Sequence, residues 1–493
     1  MGYILHDFYS IITEIYLLFS TTILVIYGVF FGSSNNLGFP VLSKNFSLLV
    51  QQIFFLSLFL VWNSINVLSW NNFLILDEFS VGAKTIIILT TIIWAILIFK
   101  CSTLEKINAF EFWILILLAI IASLFIVQSY DLLSIYLTIE FQSLVFYILA
   151  SFNRTSEFST EAGLKYFVLG AFASALLLFG FSFLYGLTGV TNLNDFSNLF
   201  TGFNITKTHF LHFEIILCVL IVLTALLFKA GVSPFHMWVP DVYEGSIITV
   251  TAFFAAIPKL AIFSVLFRFL FLSFYDFIEW WNSLILVCTF LSLIIGALGA
   301  FTQTKWKRFM AYSSITNLGF LLLAFASGSL ESIFSIIFYL IIYSITTLGT
   351  FGAIVSLKKY SYPKLYHSRY LSDLIMLGKV NPVLAITTTT FLFSTAGIPP
   401  LAGFFSKFFV LLTAIKCNIF GMGILAILIN CIVCFYYIRL IKNMYFSKIT
   451  YWPVLFPSSK SASLVTGMAL IFLSCLCIDL ELLSLLSAWM LFI

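Results

Sequence analysis

The sequence predicts an all-α polytopic membrane protein of about fourteen transmembrane helices, built around two inverted five-helix repeats that contain broken helices. Three observations predict it. The 493 residues are 62% hydrophobic and only 9% charged, with a mean hydropathy of +1.12; soluble domains carry about 25% charged residues. Apolar runs long enough to cross a bilayer recur from end to end, leaving no stretch for a soluble domain. Two of these runs carry an isolated lysine beside a Gly/Pro interruption, as in Lys229-AGVSPFHMW and STAGIPPLAGFFS-Lys407.

Taken in order, residues 1–107 hold three spans, near 11–31, 47–69 and 80–100. Residues 108–272 hold five, near 108–129, 131–152, 159–187, 212–233 and 247–272. Residues 273–445 hold five more, near 282–302, 309–328, 332–357, 382–413 and 418–438. Residues 446–493 hold a last span near 463–480 and a tail. A span needs about 20 apolar residues at 1.5 Å rise each, and these windows meet that length.

The cations give the span pattern a direction. Sixteen of the 24 Lys and Arg residues fall in loops after odd-numbered spans, including Lys100, Lys106, Lys448, the cluster Lys305, Lys307 and Arg308, and the group Lys358, Lys359, Lys364 and Arg369. The opposite loops hold only Lys207, Arg268 and Lys416. Positive loops stay on the cytoplasmic side or its organellar equivalent, which puts both termini on the other side. Asp7 and Glu14 with no early Lys or Arg argue against a cleaved leader. Cys431 and Cys434 are spaced like a CxxC, but the spacing lies inside an apolar span with no second pair and no nearby His, so neither a metal nor a cofactor is expected on this chain.

Five lysines lie within spans: Lys84, Lys165, Lys229, Lys259 and Lys407. Lys84 and Lys165 sit within one or two turns of a span end and read as snorkelling side chains. Lys229, Lys259, Lys407 and the carboxylate Glu140 lie deep in their spans, where an ionisable group is costly and is normally kept for ions or protons. A buried carboxylate beside a buried amine favours the charged form of both, so opening and closing such a pair moves protons without covalent chemistry. The interruption follows Lys229 and precedes Lys407, as corresponding broken helices of an inverted repeat do. Five-span units in tandem must insert with opposite orientation. Two unrelated kinked helices are the alternative.

The segments FKAGVSPFHMWVPDVYEG, TAFFAAIPKLAIF, QTKWKRFMAYSSITNLGF and STAGIPPLAGFFSKF resemble the antiporter-like proton-pumping subunits of respiratory complex I, in the family's order and across at least residues 130–445. The match is to the family type with fourteen spans and lysine in both the eighth and twelfth. The resemblance implies that Glu140 is the fifth-span carboxylate, Lys229 its seventh-span partner, Lys259 the central connecting lysine and Lys407 the terminal site. It adds His236, in PFHMW, as a proton carrier or a cap on the broken helix; Lys165 is a further candidate for the path. One departure is Ser246-Ile247-Ile248-Thr249, where the family often has prolines.

The resemblance further implies a subunit of NADH:ubiquinone reductase that carries no redox centre, binds no NADH or nucleic acid, and contacts lipids and neighbouring membrane-arm subunits. Chloroplast and bacterial members of the family share these motifs; the 59 Phe residues and the expected absence of a leader favour an organelle-encoded protein of the mitochondrial inner membrane. The rival readings are a subunit of a multi-subunit sodium/proton antiporter and a non-pumping scaffold of the membrane arm.

Overall fold

The computed structural model describes residues 7–31, 43–61, 67–99, 109–201, 209–361, 364–447, 454–455, 457–476 and 479–490. Lys100, Lys106, Lys207, Lys448 and the boundary at 107/108 lie outside the described residues. The chain is mostly helical: α1 (Ile12–Phe31), α2 (Ser43–Val61), α3 (Glu78–Ile98), α4 (Glu111–Gln128), α5 (Leu132–Ala150), α6 (Glu157–Thr188) and the short α7 (Leu193–Thr201) come first. Then follow α8 (His209–Ala230), α9 (Trp238–Gly245), α10 (Ile248–Phe267), α11 (Ile278–Thr302), α12 (Trp306–Ser327) and α13 (Leu330–Ser356). The last are α14 (Pro382–Ala396), α15 (Ala402–Lys416), α16 (Phe420–Tyr445), α17 (Lys460–Cys475) and α18 (Glu481–Trp489).

Eleven helices among the described residues are long and apolar enough to cross a membrane, and three shorter apolar helices, Asn45–Val61, Pro382–Ala396 and Lys460–Cys475, accompany them. Local chemistry sets the ends. Asp77 and Ser329 begin α3 and α13 with capping boxes, and Asn381 caps α14 ahead of Pro382. Gly189 and Gly328 stop α6 and α12 in the left-handed conformation.

Two expectations change. The span expected at 47–69 ends at Val61, and Val67–Ser69 pairs instead with Leu74–Leu76 in a hairpin, so the described chain is not purely helical. A second hairpin pairs Lys358–Ser361 with Lys364–His367. The span at 382–413 is two half-helices, α14 and α15, broken at the expected Gly/Pro interruption.

Burial separates the centre from the rim. The stretches Ile248–Ser273 and Trp306–Ser327 are each 94% buried, whereas α1 is 28% buried and α16 contains a span 33% buried. A helix that is apolar all round and also enclosed on all sides is an interior helix. The lysine of α10 therefore stands in the middle of the bundle, and the rim helices leave apolar faces exposed.

Candidate proton pathway

The first break is closed by glycine. Helix α8 ends at Ala230; Gly231 adopts φ +80° and its N–H reaches the carbonyls of Leu227 and Phe228, while the Val232 N–H reaches Leu227 O at 3.1 Å. Pro234 supplies no N–H to continue the helix. The Trp238 indole also donates to Phe228 O at 3.0 Å, giving that end carbonyl a second donor. Lys229 occupies the last turn of α8, where exposed carbonyls favour a cation. Its Nζ is buried, finds no hydrogen-bond acceptor among the described residues, and lies 6.0 Å from the centroid of the Tyr147 ring.

Glu140, on α5, is half-buried and accepts from Ser143 Oγ at 3.1 Å. It lies within electrostatic range of Lys229, whose Nζ makes no hydrogen bond to it. Gln142 and Ser143 of α5, Tyr166, Trp238 and Tyr243 line one cavity with both Lys229 and Lys259.

Pro258 shapes the next step. It sits inside α10 and cannot donate to the carbonyl of Phe254 four residues earlier. Tyr243 donates its hydroxyl to that carbonyl at 3.3 Å. Tyr343 of α13 donates to Ala255 O at 3.2 Å and accepts from Lys259 Nζ at 2.8 Å. Tyr343 also lines a second cavity, with Asn317, Tyr339, Thr346, Ser394, Ser406 and Lys407. Within it Tyr339 donates to Asn317 Oδ1 at 3.2 Å.

The second break repeats the first. Helix α14 ends at Ala396; Gly397 has φ +80°, its N–H reaches Phe393 O and Ser394 O, and the Ile398 N–H reaches Phe393 O at 3.1 Å. Lys407, in the second turn of α15, reaches back to this carbonyl end and donates to Thr395 O (2.9 Å), Ala396 O (3.0 Å) and Asn430 Oδ1 (2.7 Å). The half-helices touch: a Cβ on Gly403 would lie 1.8 Å from Ser394 O.

Other candidates fall elsewhere. Lys165 is exposed and pairs with Glu161 and Asp241, consistent with a snorkelling side chain. His236 is buried within the first break with no partner for Nδ1 among the described residues. Asp241 and Glu244 of α9 also bind Arg308 and Lys305 at the start of α12, and Lys307 donates to Ser246 O. The departure at Ser246–Thr249 is a two-residue link, Ser246-Ile247, directly into α10.

Two residues were misjudged from the sequence. Lys84 does not snorkel: its Nζ meets Glu14 Oε1 at 2.6 Å and both side chains are buried. Arg268 is no loop cation; it is buried against Asp77 at 2.7 Å. Partners distant in sequence explain both errors. Tyr343, Tyr339, Asn317 and Asn430 were not singled out because uncharged polar residues in apolar spans give no signal until the helices are packed.

Residues 129–433 match the family described as NADH:quinone oxidoreductase/Mrp antiporter, TM. The NADH-ubiquinone oxidoreductase chain 2 of Marchantia polymorpha is 41% identical over 95% of this chain and 95% of its own length. This chain belongs to that family. The NADH-quinone oxidoreductase subunit N 1 of Rhizobium meliloti is 38% identical over 76% of each chain. Among solved structures, a chain of respiratory complex I from Thermus thermophilus superposes with TM-score 0.78 at 25% identity, covering 96% of this chain and 98% of that one. A chain of the Mrp complex from a Dietzia species shares the fold, with TM-score 0.82 at 19% identity, covering 99% and 97%.

Proposed function

We propose that this chain is a proton-translocating membrane-arm subunit of mitochondrial NADH:ubiquinone oxidoreductase, with Glu140, Lys229, Lys259 and Lys407 as the groups that hold and pass the proton. The observation that carries this is the position of Lys259 and Tyr343. Lys259 lines the cavity of Lys229, Tyr343 lines the cavity of Lys407, and the two side chains are hydrogen-bonded at 2.8 Å. A proton on Lys259 has a neighbour on either side. Buried polar cavities of this kind hold water when they offer two or more polar partners.

Glu140 is the control point of this scheme. When its carboxylate approaches, Lys229 keeps its proton; when the carboxylate withdraws or is neutralised, Lys229 passes the proton toward Lys259. His236 and Lys165 are assigned to the entry end, where Asp241 and Glu244 concentrate charge. The matching breaks support two inverted five-helix units, residues 108–272 and 273–445, with the three helices of 1–107 before them and a last span and tail in 446–493. The loop cations support fourteen spans with both termini on the intermembrane-space side. Partners are the adjoining membrane-arm subunits and lipid; NADH oxidation belongs to other subunits.

The test is Lys259→Met in the assembled complex, with protons moved per NADH oxidised as the readout. The expected result is normal assembly with a lower ratio. An unchanged ratio would mean a scaffold, and a chain that purifies without NADH-oxidising partners would mean a free-standing antiporter.

A further inference from the structure

The proposed row of Glu140 and three lysines leaves four buried charges unused. Glu14 of α1 and Lys84 of α3 meet at 2.6 Å with side-chain exposures of 0% and 2%. Thr13 donates to the other carboxylate oxygen at 2.6 Å. Asp77, the N-cap of α3, accepts from Arg268 Nη2 at 2.7 Å and from the Ser80 N–H at 2.8 Å. Lys84 lies in the fields of both Asp77 and Arg268, so the two pairs form one cluster. Arg268 directly follows α10 and stands nine residues, about 13 Å of helix, beyond Lys259.

The cluster is not closed. Arg268 is 1% exposed, and its Nε and Nη1 find no acceptor among the described residues. Gln128 is fully buried; its Nε2 donates to Ser10 O at 2.9 Å, while its Oε1 has no donor among the described residues. Ser10 is one helical turn before Glu14, and its hydroxyl contacts Ser69 Oγ and Asp7 O, each at 2.8 Å. Donors and an acceptor left without protein partners beside a buried ion pair are what water satisfies. A purely structural tie would gain little from such an arrangement, because the desolvation of two ions offsets most of their attraction.

We propose that Glu14 and Lys84 form a further proton-exchange pair, outside the two broken-helix units, reached by water through Arg268 and Gln128 from the membrane face that carries Asp7 and Ser69. The Lys84 ammonium gives one proton to Glu14 Oε1, leaving an amine and a carboxylic acid. The acid releases that proton to a water on the Gln128 and Asp7 side, forming hydronium, and the amine takes a proton from a hydronium arriving on the Arg268 side, which becomes water, so both charges return and one proton has moved. The inference rests on the proton-translocating reading above.

Two variants in the assembled complex test it, read as protons moved per NADH oxidised. Lys84→Arg keeps the ion pair and the charge, but a guanidinium does not release its proton. Glu14→Gln keeps the side-chain volume and removes the acceptor. The expected result is retained assembly and NADH oxidation with a reduced ratio in both. A wild-type ratio in Lys84→Arg overturns the proposal; if that variant does not assemble, the ratio of Glu14→Gln decides in the same way. Reduced coupling in Lys259→Met beside wild-type coupling in Lys84→Arg sinks this proposal alone, whereas wild-type coupling in both sinks the underlying reading.

Discussion

Lys229 and Lys407 stand at the carbonyl ends of two broken helices closed by the same hydrogen bonds, yet Lys407 has three acceptors and Lys229 has none among the described residues. The backbone is repeated and the charge environment is not. An ammonium with three acceptors is held in one place. One without acceptors is left with the field of Glu140, the carboxylate within electrostatic range of it. On the proposed proton-translocating reading, the first break is the responsive site and the second the anchored one.

Asn430→Leu tests the anchor. It removes the side-chain acceptor of Lys407 and leaves the carbonyls of Thr395 and Ala396. A hydrogen bond to a charged group contributes about 1.5–3 kcal/mol. The complex is expected to assemble with reduced proton movement per NADH, and an unchanged ratio would show that the two carbonyls alone hold Lys407.

Tyr343→Phe removes the acceptor of Lys259 while keeping the ring that lies 5.1 Å from its Nζ. Phenylalanine fills nearly the same volume, so assembly should persist while coupling falls. Infrared or kinetic measurements on assembled complex would register the loss, and a fully coupled Tyr343→Phe would mean that water alone joins the two cavities.

Much of this site was legible in the sequence because charges in apolar spans are rare and the two interruptions are marked by Gly and Pro. Lys229, Lys259 and Lys407 were found on that basis, and all three lie within the bundle. What escaped notice depended on distance in the chain. Lys84 sits near a span end, so depth alone favours snorkelling; only the folded bundle brings Glu14 of α1, seventy residues away, to its ammonium. Arg268 differs from its expectation for the same reason, since its partner Asp77 lies 191 residues away in the chain. The tyrosines carry no sequence signal of their own, because a hydroxyl in a Phe-rich span becomes informative only once its acceptor is in place.

Gly403→Ala should act on assembly before chemistry. Its Cβ would collide with the Ser394 carbonyl, a backbone atom that cannot move without opening the second break. Overpacking of this kind costs about 1–3 kcal/mol. The expected outcome is a lower yield of intact complex on native gels, partly restored at reduced growth temperature. Gly421, which has open space around it, is the control: Gly421→Ala should leave the yield unchanged.

The ion network around α9 makes a graded prediction. Arg308 bonds Asp241 at 2.9 Å and also Glu244, joining α9 to α12, whereas Lys165 bonds Asp241 from α6. Both cations are part-exposed, and an exposed pair contributes about 0.2–1 kcal/mol. Lys165→Gln should therefore change stability little, because Arg308 still neutralises Asp241. Arg308→Gln leaves the half-buried Glu244 with Lys305 alone and loosens the half-helix that follows Lys229. Thermal inactivation of the purified complex should show a larger loss for Arg308→Gln than for Lys165→Gln, and the double variant should exceed their sum, since both cations serve one carboxylate. Equal, additive losses would mean that Asp241 and Glu244 act independently and that α9 is held by its packing.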